Sequence, residues 1–259
     1  MEPRDITGER EAELRIQELN DALRAHVATV DAMNEELESY SHSVSHDLRT
    51  PLRFVNRIAH LLLHGPGAQL SDVSRQQVNM ILRATSEMGN LIERLLVFSQ
   101  VSRAPIRLRA VDLRKLIQGA MEELADAREG RSVEFELGDL PLCRGDRTLL
   151  KEVAVNLLEN ALKFTQGRAQ ARITVGCTET EGHPTYFVRD NGVGFDMRDC
   201  DALFVPFQQL HKSAGFAGMG IGLALVKRII ERHGGRIWAS GEVDKGATFY
   251  FTLSPDRAA

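Results

Sequence analysis

Residues 146–164 read DRTLLKEVAVNLLENALKF, and this stretch decides how the second half of the chain folds. Val153, Leu157, Leu158 and Ala161 recur at the helical period, so one face of a helix over residues 146–164 is expected to be buried. Glu152, Asn156, Asn160 and Lys163 lie on the other side, within about 80° of one another at about 100° per residue. An ordinary surface helix carries lysines and glutamates there, and asparagine is a poor helix former. Either this face is solvated, or its amides are in use. Asparagine carbonyls suit a hard cation such as Mg²⁺, and the neighbouring Glu152 and Lys163 suit the cation's water shell and a phosphate.

Two glycine clusters follow downstream. Asp190-Asn191-Gly192-Val193-Gly194 comes after a strand-like stretch, where a carboxylate beside small residues lets a flat base approach the backbone. Gly218-Met219-Gly220-Ile221-Gly222-Leu223 opens a helix, the arrangement in which backbone N–H groups and a helix N-terminus receive phosphate. The same glycines can also serve turns or close packing. The second cluster is not the dinucleotide fingerprint, because no strand immediately precedes it and its third glycine comes too early. The lysine-bearing P-loop pattern is absent as well. Between the clusters, residues 196–217 form a connector with little regular signal, read as a nucleotide lid hinged at Gly215 and Gly218, with His211 and Lys212 within reach of a terminal phosphate.

Around these motifs the pattern is that of helices layered on one mixed sheet. Strands are predicted at Ile106–Val111, Ser132–Leu137, Arg172–Cys177, Thr185–Arg189, Arg236–Ala239 and Thr248–Leu253. Helices are predicted from Asp112 to near Gly130 and from Ile221 to His233. Phe135, Phe187, Trp238, Phe249 and Phe251 are the expected aromatic core.

The first hundred residues differ in texture. Ile16, Leu19, Leu23, Val30, Met33, Leu37, Tyr40 and Val44 follow a coiled-coil seam interrupted only by His26, and the run continues beyond Val44 through a stutter. After the breaker at 64–67, a second seam runs Val78, Ile81, Thr85, Met88, Ile92, Leu95 and Ser99. The segment is thus a helical hairpin, and two hairpins are expected to associate as a homodimeric four-helix bundle. In the first helix, His46 stands two residues past the seam position Val44, on the flank of the bundle. A neutral imidazole there is a competent nucleophile, with adjacent Asp47 able to fix its tautomer. His42 and His46 lack a third ligand at metalloprotease spacing.

Composition narrows the classes. Of 259 residues, 32 are Lys or Arg against 36 Asp or Glu, a net charge of −4, so a general attraction to nucleic acid is not indicated. With 43% hydrophobic residues the chain is not disordered throughout. The three dispersed cysteines suggest a reducing compartment, and no apolar run approaches the roughly 20 residues of a membrane span. A cytoplasmic location is the expectation.

Taken in order, SHDLRTPL (45–52), EVAVNLLENALKFT (152–165), DNGVGFD (190–196), LFVPFQQLH (203–211), GMGIGLAL (218–225) and GATFYF (246–251) resemble the motifs of sensor histidine kinases of two-component systems, most of all the phytochrome-like subgroup. The resemblance implies a multidomain chain: a coiled-coil signalling helix over 1–40, an all-α dimerisation and phosphotransfer hairpin over 41–104, and an α+β sandwich ATP-binding domain of the Bergerat (gyrase, Hsp90 and MutL) type over 105–255. It implies that His46 attacks the γ-phosphate of ATP with Asp47 as orienting base. Thr50 falls where the family positions water for dephosphorylating the regulator. Asn156 would hold Mg²⁺ with Glu152 in its outer shell, and Asn160 and Lys163 would contact phosphate. Asp190, supported by Thr248, would read adenine beside Gly192 and Gly194, while Gly218, Gly220 and Gly222 would line the phosphates. The phosphoryl group would pass to a receiver aspartate on a separate response regulator, and a sensor domain is expected before residue 1. An ATPase machine like Hsp90 or MutL and a non-catalytic adaptor are the competing readings.

Overall fold

The computed structural model describes residues 15, 17, 47–65, 70–101, 105–180, 182–208 and 220–254. The first seam, His46, Gly215, Gly218, His211 and Lys212 therefore lie outside the described residues. The chain divides into two compact units, residues 1–99 and 100–259.

In the first unit, α1 (47–64) and α2 (Asp72–Gln100) are the described helices. Ser71 caps α2 by accepting the N–H of Ser74 at 3.2 Å. Ala59 and Leu63 of α1 bury themselves against Val78 of α2, with Leu70 and Leu82 completing the cluster. Farther along, Asn56 donates to Thr85 at 3.5 Å, and Arg49 pairs with Glu93. These contacts set one antiparallel register. They also show how little of the seam a single hairpin buries. Val78, Thr85 and Ile92, spaced by sevens, are buried, whereas the intervening Ile81 and Met88 are 45% and 46% exposed. Phe54, Ile58 and Leu61 of α1 are likewise exposed.

The second unit opens with buried Val101, whose carbonyl accepts from Arg232. β1 (Arg109–Val111) pairs antiparallel with β3 (Cys143–Gly145), a short strand that the sequence pattern does not announce. α3 (Leu113–Glu123) is capped by Asp112, which accepts from Lys115 N–H, and it ends earlier than predicted. A 3-10 turn at Asp126–Arg128 then leads into a left-handed Gly130. The remaining strands are β2 (Val133–Leu137), β4 (Ala171–Thr180), β5 (His183–Asp190), β6 (Ile237–Glu242) and β7 (Gly246–Thr252). They form a sheet in the order β2-β4-β5-β7-β6, antiparallel except for the β2–β4 pair. α4 (Arg147–Phe164) and α5 (Gly222–Arg232) cover one face of it, and α3 packs on α4. On that face Ile173, Val175, Tyr186, Val188, Phe249 and Phe251 are buried.

Strand parity corrects the expected aromatic core. Phe249 and Phe251 point into the core, but Phe187 and Trp238 flank the intervening Tyr250 on the opposite face, because neighbouring side chains on a strand alternate. There Trp238 stacks on Tyr250 with centroids 5.6 Å apart, and Phe187 lies over Gly176, where a Cβ would meet its ring at 2.6 Å.

One buried histidine, unmarked by any sequence motif, ties α5 to α4. The ring of His233 accepts the N–H of Asp146, the N-cap of α4, on Nε2 at 3.0 Å. A backbone N–H can only donate, so the proton sits on Nδ1, which donates to Ile229 O at 2.7 Å. Burial pushes the His233 pKa below its ordinary 6.5. The unfolded chain therefore takes up this proton first on acidification, so the stabilisation is complete above about 6.5 and is lost as pH falls through and below that value. Thermal melts between pH 7.5 and 5 are expected to show this decline. His233→Leu should cost about 1–3 kcal/mol at neutral pH and flatten the acid limb, since it leaves the Asp146 N–H unpaired.

Candidate nucleotide site

α4 owes its position to Asp146, whose carboxylate accepts from Thr148 and Leu149 N–H at 3.0 and 3.4 Å and from Arg107 N–H at 3.1 Å. Partial burial pushes that carboxyl the other way, yet these donors hold it below the ordinary carboxylate range. The helix buries Val153, Leu157, Leu158 and Ala161 as expected. Asn156, predicted on the polar side, is itself only 5% exposed. Its Nδ2 donates to Glu152 O at 2.8 Å, which orients the amide so that Oδ1 is the end that can serve a cation. Glu152 and Asn160 are half-buried on the same side, and the Lys163 ammonium lies 4.7 Å from the Phe164 ring centre at the helix end.

Asp190 ends β5 on the helix-covered face and is 5% exposed. Gly192 N–H donates to its Oδ1 at 2.8 Å. Burial pushes the carboxyl up to about 6, against the opposing pull of the Gly192 and Ala247 N–H groups and the Arg168 guanidinium. The first glycine cluster is held by close backbone approaches. A Cβ on Gly192 would stand 2.5 Å from Phe164 O, so only glycine lets this loop touch the end of α4, where Val193 N–H donates to the same carbonyl at 3.2 Å. Gly194, at φ +62, would place a Cβ 1.9 Å from Glu242 O. Gly246, at φ +102, would place one 2.0 Å from Asp190 O. The packing role of these glycines is thus explicit, and it is what brings Asp190 up to the end of α4.

α5 packs beside α4, and its N-terminus follows the second glycine cluster. α3 and α4 carry aspartate N-caps, but α5 follows Ile221, with no side-chain cap on its first N–H groups. A helix N-terminus without a side-chain cap, preceded by glycines, suits an anion. Gly220 at φ +68 accepts from Phe207 N–H at 3.0 Å, so the middle of the connector is tied to the residue two before α5. Phe207 is itself left-handed at φ +65, a conformation that costs a bulky residue energy. Within the connector, Met197–Phe204 forms a 3-10 segment where no regular structure was expected.

Thr248 is not placed to support Asp190. The register sets Ala247 across from Asp190 and Thr248 across from Arg189, whose Nε donates to the threonine hydroxyl at 3.3 Å on the opposite sheet face. One residue along a strand reverses the side, so Ala247 is the neighbour that counts. Asp47 and Thr50 are exposed on α1.

The donor set fits a magnesium nucleotide. Mg²⁺ is held through one or two protein oxygens with waters and phosphates, which Asn156 and Glu152 provide for, and among the described residues no cluster of three acidic, His or Cys ligands forms an alternative metal cage.

Comparison with known proteins agrees with this geometry. Residues 36–103 match the family described as "His Kinase A (phospho-acceptor) domain", and residues 145–257 match "Histidine kinase-, DNA gyrase B-, and HSP90-like ATPase". The chain is 32% identical over 227 residues to cyanobacterial phytochrome B of Nostoc sp., covering 86% of this chain and 30% of that protein. It is 32% identical over 232 residues to the methanogenesis regulatory histidine kinase FilI of Methanothrix harundinacea, covering 89% and 26%. It thus spans about a third or less of these relatives' length. The crystal structure of full-length ShkA in complex with AMPPNP shares the fold, at a TM-score of 0.64 and 24% identity over 84% of this chain and 47% of that one.

Two left-handed glycines packed around the Asp190 loop give a direct check on the site's construction. Gly194→Ala and Gly246→Ala should each destabilise the second unit by at least about 2 kcal/mol in urea unfolding, combining left-handed strain with overpacking. Gly167→Ala, where a Cβ would meet nothing within 4 Å, should be nearly neutral.

Proposed function

The chain belongs to the sensor histidine kinases, as a transmitter module joining a phospho-acceptor domain to an ATP-binding domain, and from that premise we propose that it phosphorylates its own His46 from ATP and hands the phosphoryl group to a response regulator. The observation that carries the reading is a pair of buried polar side chains, Asn156 on α4 and Asp190 before the loop packed on the end of α4, with α5, whose glycine-led start has no side-chain cap, packed on the same helix. Asp190 accepts the adenine amino proton, and Gly192 and Gly194 let the base lie against the loop. Asn160, Lys163 and the N–H groups at Gly218, Gly220 and Gly222 neutralise and position phosphate. Mg²⁺, held by Asn156 with Glu152 in its outer shell, would spread the charge of the phosphates. One ring nitrogen of the neutral His46 imidazole attacks the γ-phosphorus as the bond to the ADP oxygen breaks, and Asp47 receives the proton carried by the other ring nitrogen. Positioning and charge neutralisation supply most of such a transfer. Thr50, exposed on α1 and four residues after His46 in sequence, fits a further role in orienting water for regulator dephosphorylation.

The half-buried seam supports the homodimer. Ile81, Met88, Phe54 and Ile58 remain for a second hairpin to cover, which supports reading residues 41–104 as the dimerisation unit between a signalling helix over 1–40 and the ATP domain over 105–255. The relatives' length supports a sensor domain belonging to the whole protein. Among the described residues no helix is long and apolar enough to cross a membrane.

Incubation with γ-labelled ATP and Mg²⁺ should give an acid-labile, alkali-stable label, and His46→Gln should carry none; equal labelling of that variant sinks the assignment. Asp190 must be ionised to accept from adenine, and its pKa of about 6 predicts ADP binding about fourfold weaker at pH 5.5 than at 7.5. Asp190→Asn should weaken binding about tenfold or more and abolish that slope in titration calorimetry.

A further inference from the structure

We propose that Arg168 is a positioning residue of this nucleotide site, holding the loop that carries Asp190 at a fixed place against the end of α4. The proposal rests on the nucleotide reading above. Arg168 lies in the turn after α4, anchored by its own N–H to Thr165 O at 3.0 Å. Its guanidinium reaches three backbone carbonyls in two different loops. Nε donates to Asn191 O at 2.8 Å, and one terminal nitrogen donates to Gly192 O at 2.8 Å and to Asp244 O at 2.7 Å. The Asp244 carboxylate stands 3.7 Å away on a 79% exposed side chain, so that ion pair adds little and the carbonyls carry the interaction.

The carbonyls it grips matter because a peptide unit is planar. Holding Asn191 O fixes the plane whose other end is the Gly192 N–H, and that N–H donates to Asp190 Oδ1. Holding Gly192 O fixes the next plane, whose other end is the Val193 N–H donating to Phe164 O. Each of these two peptides is therefore held at both ends, by Arg168 on one side and by Asp190 or α4 on the other. Hydrogen bonds in such chains polarise one another, so the guanidinium also strengthens the donor that aims the carboxylate. The third carbonyl ties in the β6–β7 turn, where Asp244 N–H donates to Val193 O at 2.7 Å. α4 carries the phosphate-end residues and the loop carries the base-end residue, so Arg168 sets the distance between the two ends of the nucleotide. A lysine could supply the charge but not a planar fork for three acceptors.

The test uses the full chain, with Arg168→Gln and Arg168→Lys beside the parent, and reads ADP binding by calorimetry across pH, ATP KM and kcat for autophosphorylation, and thermal melting. Arg168→Gln should raise KM about tenfold with kcat within about twofold. It should also move the pH midpoint of ADP binding above about 6, because Arg168 is the charged side chain that lowers the Asp190 pKa. Arg168→Lys should bring the midpoint back toward the parent value while leaving KM raised. A parental KM and midpoint in Arg168→Gln overturns the proposal, as does a lower melting temperature with the midpoint unmoved, which marks a merely structural arginine. If Arg168→Gln does not fold, Arg168→Lys decides: a parental KM overturns the proposal, and a raised KM with a near-parental midpoint supports it. A parent chain that fails to bind ADP sinks the nucleotide reading itself and this proposal with it, whereas a parent that binds beside an unaffected Arg168→Gln sinks only the role of Arg168.

Discussion

Backbone meets backbone around Asp190 at distances that leave no room for a side chain, and the site depends on that approach. The loop after β5 touches the end of α4 at Gly192, the β6–β7 turn at Gly194, and is touched in return by Gly246. Each contact joins segments distant in sequence. Together they place a desolvated carboxylate on the covered face of the sheet, beside a helix whose Asn156 is equally buried. The burial that raises the Asp190 pKa is the same burial that excludes water from its acceptor oxygens, so tight glycine packing and electrostatic tuning are one arrangement.

The helical unit follows the opposite logic, leaving space instead of filling it. A sevenfold repeat of buried Val78, Thr85 and Ile92 is satisfied within one hairpin, and the offset repeat of Ile81 and Met88 is not. Half a heptad pattern buried in each chain is the economical way to make folding of the hairpin and pairing of two chains use different residues.

Much of this was legible in the sequence because periodicity survives without knowledge of neighbours. The α4 stripe, the start of α3 at Asp112 and most of the strands came from local spacing. What escaped was decided by tertiary geometry. Phe187 and Trp238 looked like core because hydrophobicity does not reveal strand parity, and Thr248 was assigned a partner that register gives to Ala247. β3 is three residues long, too short for a pattern. His233 and Arg168 act on backbone groups far along the chain, through Asp146 and the 191–192 and 244 carbonyls, and nothing local to either residue marks that reach.

The outer face of the sheet has a consequence of a different kind. Trp238 is the one tryptophan in the sequence, and it stacks on Tyr250 beside the Arg236 guanidinium, 4.9 Å from the ring centre. Indole emission from this chain therefore originates wholly in the ATP-binding domain, from a ring whose neighbours are a tyrosine and a cation and whose strand pairs with the one abutting Asp190. The helical hairpin is optically silent in that band. The molecule thus carries a built-in reporter that separates the state of the domain holding the nucleotide from the state of the domain holding the histidine.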